Sequence, residues 1–264
     1  MLKLLSRIAN ILPGKKITAF LHIPKSGGTY LAQLETSKQP VISPLKYLGH
    51  SYVVDEDGDV NVTYLQHDQQ RARDSVIARR DIRRYYMVSS VRNLFDWFVS
   101  YAGHAGAWNS RYQSSEHYDY ENAQRGFDYL LKTIADREDQ WPSRKFVHCQ
   151  LFSSGGDLVV DWLNRTNSLD DDLQTLANRR GLSFQKMQRQ RVGGISDYRQ
   201  HYSDPLVELV YSTWKREIEL FGFSYHLDSS TEGVLGREIS SQQKASIKYR
   251  WHDDRLDINR ADTV

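Results

Sequence analysis

Ile17-Thr18-Ala19-Phe20-Leu21-His22-Ile23-Pro24-Lys25-Ser26-Gly27-Gly28-Thr29-Tyr30-Leu31 is the stretch on which the fold turns. An apolar run ends at Pro24, passes through Gly27 and Gly28, and re-enters periodic sequence, which predicts a strand, a tight turn and the start of a helix. Such a turn gathers backbone N–H groups and the positive end of a helix dipole at one point, a setting suited to phosphate or a similar tetrahedral anion. Lys25 adds a full positive charge at the same mouth. The lysine stands before the glycine pair, whereas a nucleotide triphosphatase loop runs glycine, lysine, then Ser or Thr, and here only Thr29 offers a hydroxyl for magnesium. The pattern keeps an anion nest and lacks the order of a magnesium-triphosphate loop.

Outward from this turn, apolar segments alternate with helical ones. The first strand covers Ile17 to Ile23, and the helix behind it begins near Gly28 and fades before Pro40. Residues 47 to 66 read as a hairpin around Asp55-Glu56-Asp57-Gly58-Asp59. Tyr85 to Val91 is a second core strand that runs directly into Arg92 and a helix containing Phe95, Phe98 and Val99. Further helices are expected near Gly126 to Ala135, Leu169 to Arg180 and Pro205 to Leu220. Strands alternating with helices imply an α/β fold with a largely parallel sheet covered on both faces, its binding crevice at the carboxyl ends of the strands. No internal repeat interrupts the order, so residues 1 to 264 are expected to form a single domain, with residues 228 to 264 as a polar C-terminal extension.

Composition narrows the function classes. Aromatic residues make up 12% of the chain, including six Trp and sixteen Tyr, enough for a substantial core. The net charge of +2 is close to balance, and acids interleave the arginines at positions 71, 73, 79, 80, 83 and 84, so that run reads as a solvated helix face and no nucleic-acid partner is expected. The single cysteine, Cys149, excludes an internal disulfide and a cysteine-only metal site. It lies in the core-like run Phe146 to Phe152 and fits a reducing compartment, so a cytoplasmic location is expected. The apolar stretches of Met1 to Leu12 are too short to span a bilayer and read either as a helix capping the core or as an interfacial amphipathic helix.

A second constellation stands at the end of the second core strand: Val88-Ser89-Ser90-Val91-Arg92-Asn93-Leu94-Phe95-Asp96-Trp97-Phe98-Val99-Ser100-Tyr101. Eight residues of helix rise roughly 12 Å. A forward-pointing Arg92 and a Ser100 whose side chain leans back toward the helix start can therefore meet at one anion. Taken alone, Arg92 pairs equally well with Asp96, and Ser100 with its own helix. Beside the first loop, the pair offers a second phosphate position on the same sheet edge.

With both segments in view, the chain resembles the sulfotransferases that use 3′-phosphoadenosine 5′-phosphosulfate, in the branch of carbohydrate and bacterial enzymes. The resemblance rests on His22 to Thr29 as the 5′-phosphosulfate loop and on Val91-Arg92-Asn93 through Ser100-Tyr101 as the 3′-phosphate segment. A third stretch, Asp197 to Asp204 continuing to Phe223, looks like the family's closing helix and strand, so the likeness spans roughly residues 17 to 225. It implies a three-layer sandwich with a central, mainly parallel sheet and a P-loop-like core. Two departures stand out: Leu94 replaces a common proline after Arg-Asn, and Ser26 replaces a common Thr or Cys.

The resemblance also implies roles. Lys25 would contact the oxygen bridging phosphate and sulfate, where charge develops as the leaving group departs. The amides of Ser26, Gly27, Gly28 and Thr29, with the Thr29 hydroxyl and the adjoining Tyr30, would hold the 5′-phosphate. Arg92 and Ser100 would hold the 3′-phosphate. The loop Arg191-Val192-Gly193-Gly194 reads either as a flap over the nucleotide, through Arg191 and Gly193, or as a flexible connector. In-line transfer of a charged tetrahedral group rests on positioning and electrostatics, so no metal is invoked. A general base is still needed for the acceptor, and His67 or its rival His50, on the other arm of the expected hairpin, has a suitable side chain. The acceptor would be a hydroxyl or an amine of a small molecule or saccharide, and the aromatic residues between 101 and 125 read either as its recognition surface or as a plain surface loop whose rings pack on the domain. A nucleotide-dependent kinase or triphosphatase is the alternative, although it should show a magnesium-binding carboxylate at a strand end.

Overall fold

The computed structural model describes residues 16–27, 30, 42–43, 46–50, 53–54, 60–61, 85–108, 120–136, 146–148, 151–152, 156–186, 197–226, 234–250 and 255–258. The chain is a mixed α/β protein. Its strands begin with β1 (Ile17–His22), β2 (Ile42–Ser43), β3 (Lys46–His50), β4 (Val53–Val54), β5 (Val60–Asn61), β6 (Tyr85–Val91) and β7 (Trp162–Arg165). Four of these form the central sheet in the order β3-β1-β6-β7, and every neighbouring pair is parallel. From β1 the chain moves outward to β3 on one side and then returns to place β6 and β7 on the other. The direction of winding therefore reverses between β1 and β6, and such a switch point opens a crevice at the carboxyl ends of its two strands.

Side-chain alternation along the central strands sorts the core into two clusters. Ala19 and Leu21 of β1, Met87 and Val91 of β6 and Leu163 of β7 pack with the helices α1 (Leu94–Trp108), α2 (Tyr120–Asp136), α4 (Asp204–Thr213) and α5 (Lys215–Phe221). Phe20, Tyr86, Val88 and Trp162, one residue out of phase, pack with Tyr30 and with α3 (Leu169–Arg180) through Leu169, Leu173, Leu176 and Ala177. Helix α3 follows from its local sequence. Its apolar residues recur at helical spacing, Asp170, Asp171 and Asp172 occupy the first turn, Arg179 and Arg180 the last, and Gly181 closes it in the left-handed region at φ 66°.

Several expectations change. Val53–Val54 does pair antiparallel with Val60–Asn61, within the hairpin expected over residues 47 to 66, of which residues 51–52, 55–59 and 62–66 lie outside the described residues. Residues 46 to 50 instead join the central sheet parallel to β1, with His50 opposite His22, because a central strand offers a full ladder of backbone partners. The glycine-punctuated stretch after residue 101 stays helical to Trp108, since buried Trp97, Phe98 and Val99 anchor α1 against the core and tertiary packing overrides glycine propensity. The helix expected over Pro205 to Leu220 breaks at Trp214, whose ring is buried 4.6 Å from that of Phe98. Past Gly222 the backbone leaves the helix without forming the expected strand, and Tyr225 packs on Phe95 instead.

The C-terminal segment is integrated with the sheet. Its Gly236 N–H donates to Leu163 O at 2.7 Å and its Ile239 N–H to Asp161 O at 2.8 Å, so residues 235–239 run beside β7 and cover its outer edge. Helix α6 (Ser241–Ser246) follows, opened by a capping box between Ser240 and Gln243. The hairpin β9 (Ile247–Arg250) and β10 (Arg255–Ile258) then buries Ile247 and Tyr249 in the larger cluster. Short β8 (Ser183–Phe184) pairs with β2.

Candidate anion-binding site

The β1 turn and the start of α1 meet at the switch point. Three successive carbonyls of the turn accept hydrogen bonds from side chains of the β6–α1 segment. Trp97 Nε1–H donates to Pro24 O at 3.0 Å, Arg92 Nη1–H to Lys25 O at 3.3 Å, and the Ser90 hydroxyl to Ser26 O. In a trans peptide unit the N–H opposes the C=O, so tying these carbonyls to β6 and α1 turns the Lys25 and Gly27 amides the other way. Backbone signs agree: Lys25 has φ 66°, Gly27 has φ 80°, and Ser26 between them is negative, the alternation that builds a nest of N–H groups. A lysine in the left-handed region costs roughly 1 kcal/mol, and strain of this kind collects at functional sites.

Packing beneath the turn is tight. An added Cβ at Gly27 would lie 2.9 Å from Leu169 Cδ2, with Ser90 Oγ 4.0 Å away. Ser26 is fully buried, and its hydroxyl has no hydrogen-bond partner among the described residues. Below it, Ser89 Oγ donates to Leu21 O at 2.7 Å and Asn164 Nδ2 to Ser89 O at 2.9 Å, which ties β1, β6 and β7 together at their carboxyl ends. Thr166 adds its N–H and hydroxyl to Val91 O, at 3.0 and 2.8 Å. The turn is thus held from below and from the α1 side.

Arg92 carries the charge on the opposite lip. Its Nε–H and Nη2–H donate to Asp96 at 2.5 and 2.7 Å, one turn along α1, while Nη1 reaches Lys25 O. A guanidinium has five N–H groups, so, among the described residues, one hydrogen on each terminal nitrogen is left for an anion. The Arg92 side chain is 24% exposed, which keeps it within reach of a ligand. Asn93 starts the helix in place of the missing proline: its Oδ1 accepts from Phe95 N–H at 3.2 Å, and its Nδ2 donates to Ser224 O at 2.7 Å.

The residues expected at a functional site distribute as follows. Lys25, Ser26, Gly27 and Arg92 come together, and their meeting joins positions 67 apart in sequence. Ser100 lies half-buried on α1, one turn beyond Asp96. The Tyr30 ring is buried in the α3-side cluster, and its N–H donates to Gly27 O at 3.0 Å. His50 closes β3 beside His22, whose side chain is buried, at the same sheet edge. Gly28, Thr29, His67, Arg191 and Gly193 lie outside the described residues, as does Cys149.

Sequence reading named Asp96 as the rival partner of Arg92, which the structure shows it to be, and overlooked Ser90 and Trp97 as parts of this site. Paired serines at the carboxyl end of an otherwise apolar strand were the available signal for Ser90. Nothing local marks Trp97, because an indole N–H that meets a carbonyl 73 residues away looks in sequence like any core aromatic. Comparison with known proteins adds no assignment: no family model, curated protein or solved structure matches this chain. Among the described residues, no helix is long and apolar enough to cross a membrane.

Proposed function

We propose that this chain is a sulfotransferase that moves a sulfuryl group from 3′-phosphoadenosine 5′-phosphosulfate to a hydroxyl or amine of a small-molecule or saccharide acceptor. The observation that carries the reading is the junction at the switch point, where a strained lysine turn after β1 is bonded to the arginine that follows β6. Two cationic side chains on adjacent strand ends suit a ligand with two separated anionic groups, which a nucleotide 3′,5′-bisphosphate has. Packing on both faces of the sheet supports the finer fold reading, a three-layer sandwich with a P-loop-like sulfotransferase core.

In this reading the turn amides other than that of Ser26, whose N–H donates to Ile23 O at 3.3 Å, hold the 5′-phosphate, Lys25 neutralises charge on the departing bridging oxygen, and Arg92 with Ser100 holds the 3′-phosphate. His67 or His50 removes the acceptor proton. The register of β3 adds to the case for His50, since its backbone stands at the same sheet edge as the Lys25 turn. The test is calorimetric titration with 3′-phosphoadenosine 5′-phosphate against ATP with magnesium, followed by turnover assays. Micromolar binding of the bisphosphate is expected, with Lys25→Ala or Arg92→Ala weakening binding or turnover by tenfold or more and loss of the base removing turnover alone, on the order of the ~100-fold or greater effects usual for such groups. Binding of magnesium-ATP with indifference to the bisphosphate would refute the proposal and favour a kinase or triphosphatase.

A further inference from the structure

The three donors that grip the turn lie on β6, on α1 and on the link between them, and two of them, Ser90 and Trp97, carry no charge that an anion would read. Trp97 is fully buried, its indole lies 4.9 Å from the Tyr101 ring at an interplanar angle of 9°, and its N–H ends on Pro24 O. Ser90 is fully buried and ends on Ser26 O. Arg92, between them, ends on Lys25 O while Asp96 holds the other edge of its guanidinium. Each bond orients one peptide plane of the turn, and the three planes are consecutive. Apolar packing has no such directional demand: a phenylalanine would fill most of the Trp97 site without fixing Pro24 O.

We propose that Trp97 and Ser90 are positioning residues for the anion-binding turn, setting the directions of its amides by holding the carbonyls of Pro24 and Ser26. Resting on the proposed nucleotide site, this adds that turn geometry is imposed from α1 and β6 rather than by the glycines alone. Gly27 permits the left-handed conformation, whereas Lys25 adopts it against its preference, and the bond from Arg92 to Lys25 O together with its two flanking bonds supplies the restraint. The unpartnered hydroxyl of buried Ser26 lies inside the same restrained segment. The three bonds also couple the two halves of the site, since a shift of α1 moves Arg92 and the turn together.

Trp97→Phe, Ser90→Ala and, as control, Trp214→Phe test this in the full chain. Trp214 is as buried as Trp97 and packs on Phe98, but none of the three bonds to the turn carbonyls comes from it, so its loss should lower the melting temperature and leave those bonds in place. Two-dimensional amide NMR without ligand should show displaced Lys25, Ser26 and Gly27 resonances in Trp97→Phe and Ser90→Ala and unmoved ones in the control. Affinity for 3′-phosphoadenosine 5′-phosphate should fall about tenfold in each of the first two variants, the effect of one lost hydrogen bond passed on to the ligand. Unmoved turn resonances in Trp97→Phe, or an affinity within twofold of the parent, would overturn the positioning role. If the parent chain ignores the bisphosphate, the sulfotransferase reading fails by itself, and the ligand-free resonances with a pyrophosphate titration still decide whether these two residues set the turn.

Discussion

Replacing Gly27 by Ala probes the turn through two separable costs. The backbone there sits at φ 80°, and a side chain forced into the left-handed region costs roughly 1–2 kcal/mol. The new Cβ would stand 2.9 Å from Leu169 Cδ2, a contact that Leu169 must relieve by moving within a fully packed cluster, for about 1–2 kcal/mol more. Reduced freedom of the unfolded chain returns about 0.4–1 kcal/mol. The net expectation is a loss of about 2 kcal/mol, a fall in Tm of roughly 4–8 °C for a chain of this size. Leu169→Val removes the atom that the Cβ would meet, at a cost of about 1 kcal/mol by itself. In that background Gly27→Ala should cost only its backbone share, so urea unfolding of the four proteins should give a coupling of about 1 kcal/mol, beyond the ~0.5 kcal/mol scatter of independent sites. Equal costs in both backgrounds would refute the packing argument, and a cost under about 0.5 kcal/mol would refute the left-handed turn itself.

Glu217 offers a second stability test, because its fully buried carboxylate accepts from Val147 N–H at 2.6 Å, from His148 N–H at 3.1 Å and from His148 Nδ1. Glu217→Ala orphans all three donors and should cost about 3–5 kcal/mol in chemical denaturation, whereas Glu217→Gln, which keeps one acceptor oxygen, should cost less. Alkaline titration gives a third. Burial holds the Tyr202 hydroxyl, which donates to Phe95 O at 2.9 Å, well above its ordinary ionisation range. Below about pH 10 both folded and unfolded states keep that proton; above it the unfolded chain releases it first, so stability falls as pH rises. Tm measured from pH 9 to 11 should fall less steeply in Tyr202→Phe than in the parent, and identical slopes would count against the cause.

Continuous apolar runs were enough to place β1 and β6, which are buried on both faces, and periodic apolar spacing placed α3, which buries one stripe, each to within a residue or so. β7 escaped that reading, since only four residues, Trp162-Leu163-Asn164-Arg165, carry it and two of them are polar. Asn164 and Arg165 find their partners in Ser89 and Asp172. The C-terminal segment escaped for a related reason: its buried Val234, Ile239, Ile247 and Tyr249 are scattered among polar residues and bury apolar surface only once the segment joins the larger cluster, where Tyr249 meets Phe146 and Phe152.

The sequence by itself determined a strand, a lysine turn and a second strand ending in arginine, because a residue's preference for turn or strand and its charge are local properties. Only the tertiary structure decided that those two strands are neighbours at the reversal of the sheet, that residues 46 to 50 lie beside the first of them rather than in a hairpin, and that Ser90, Arg92 and Trp97 hold three consecutive carbonyls of the turn. Those are facts of pairing and direction between segments about seventy residues apart, and a hydrogen-bond donor does not record in its own sequence which distant carbonyl it will meet.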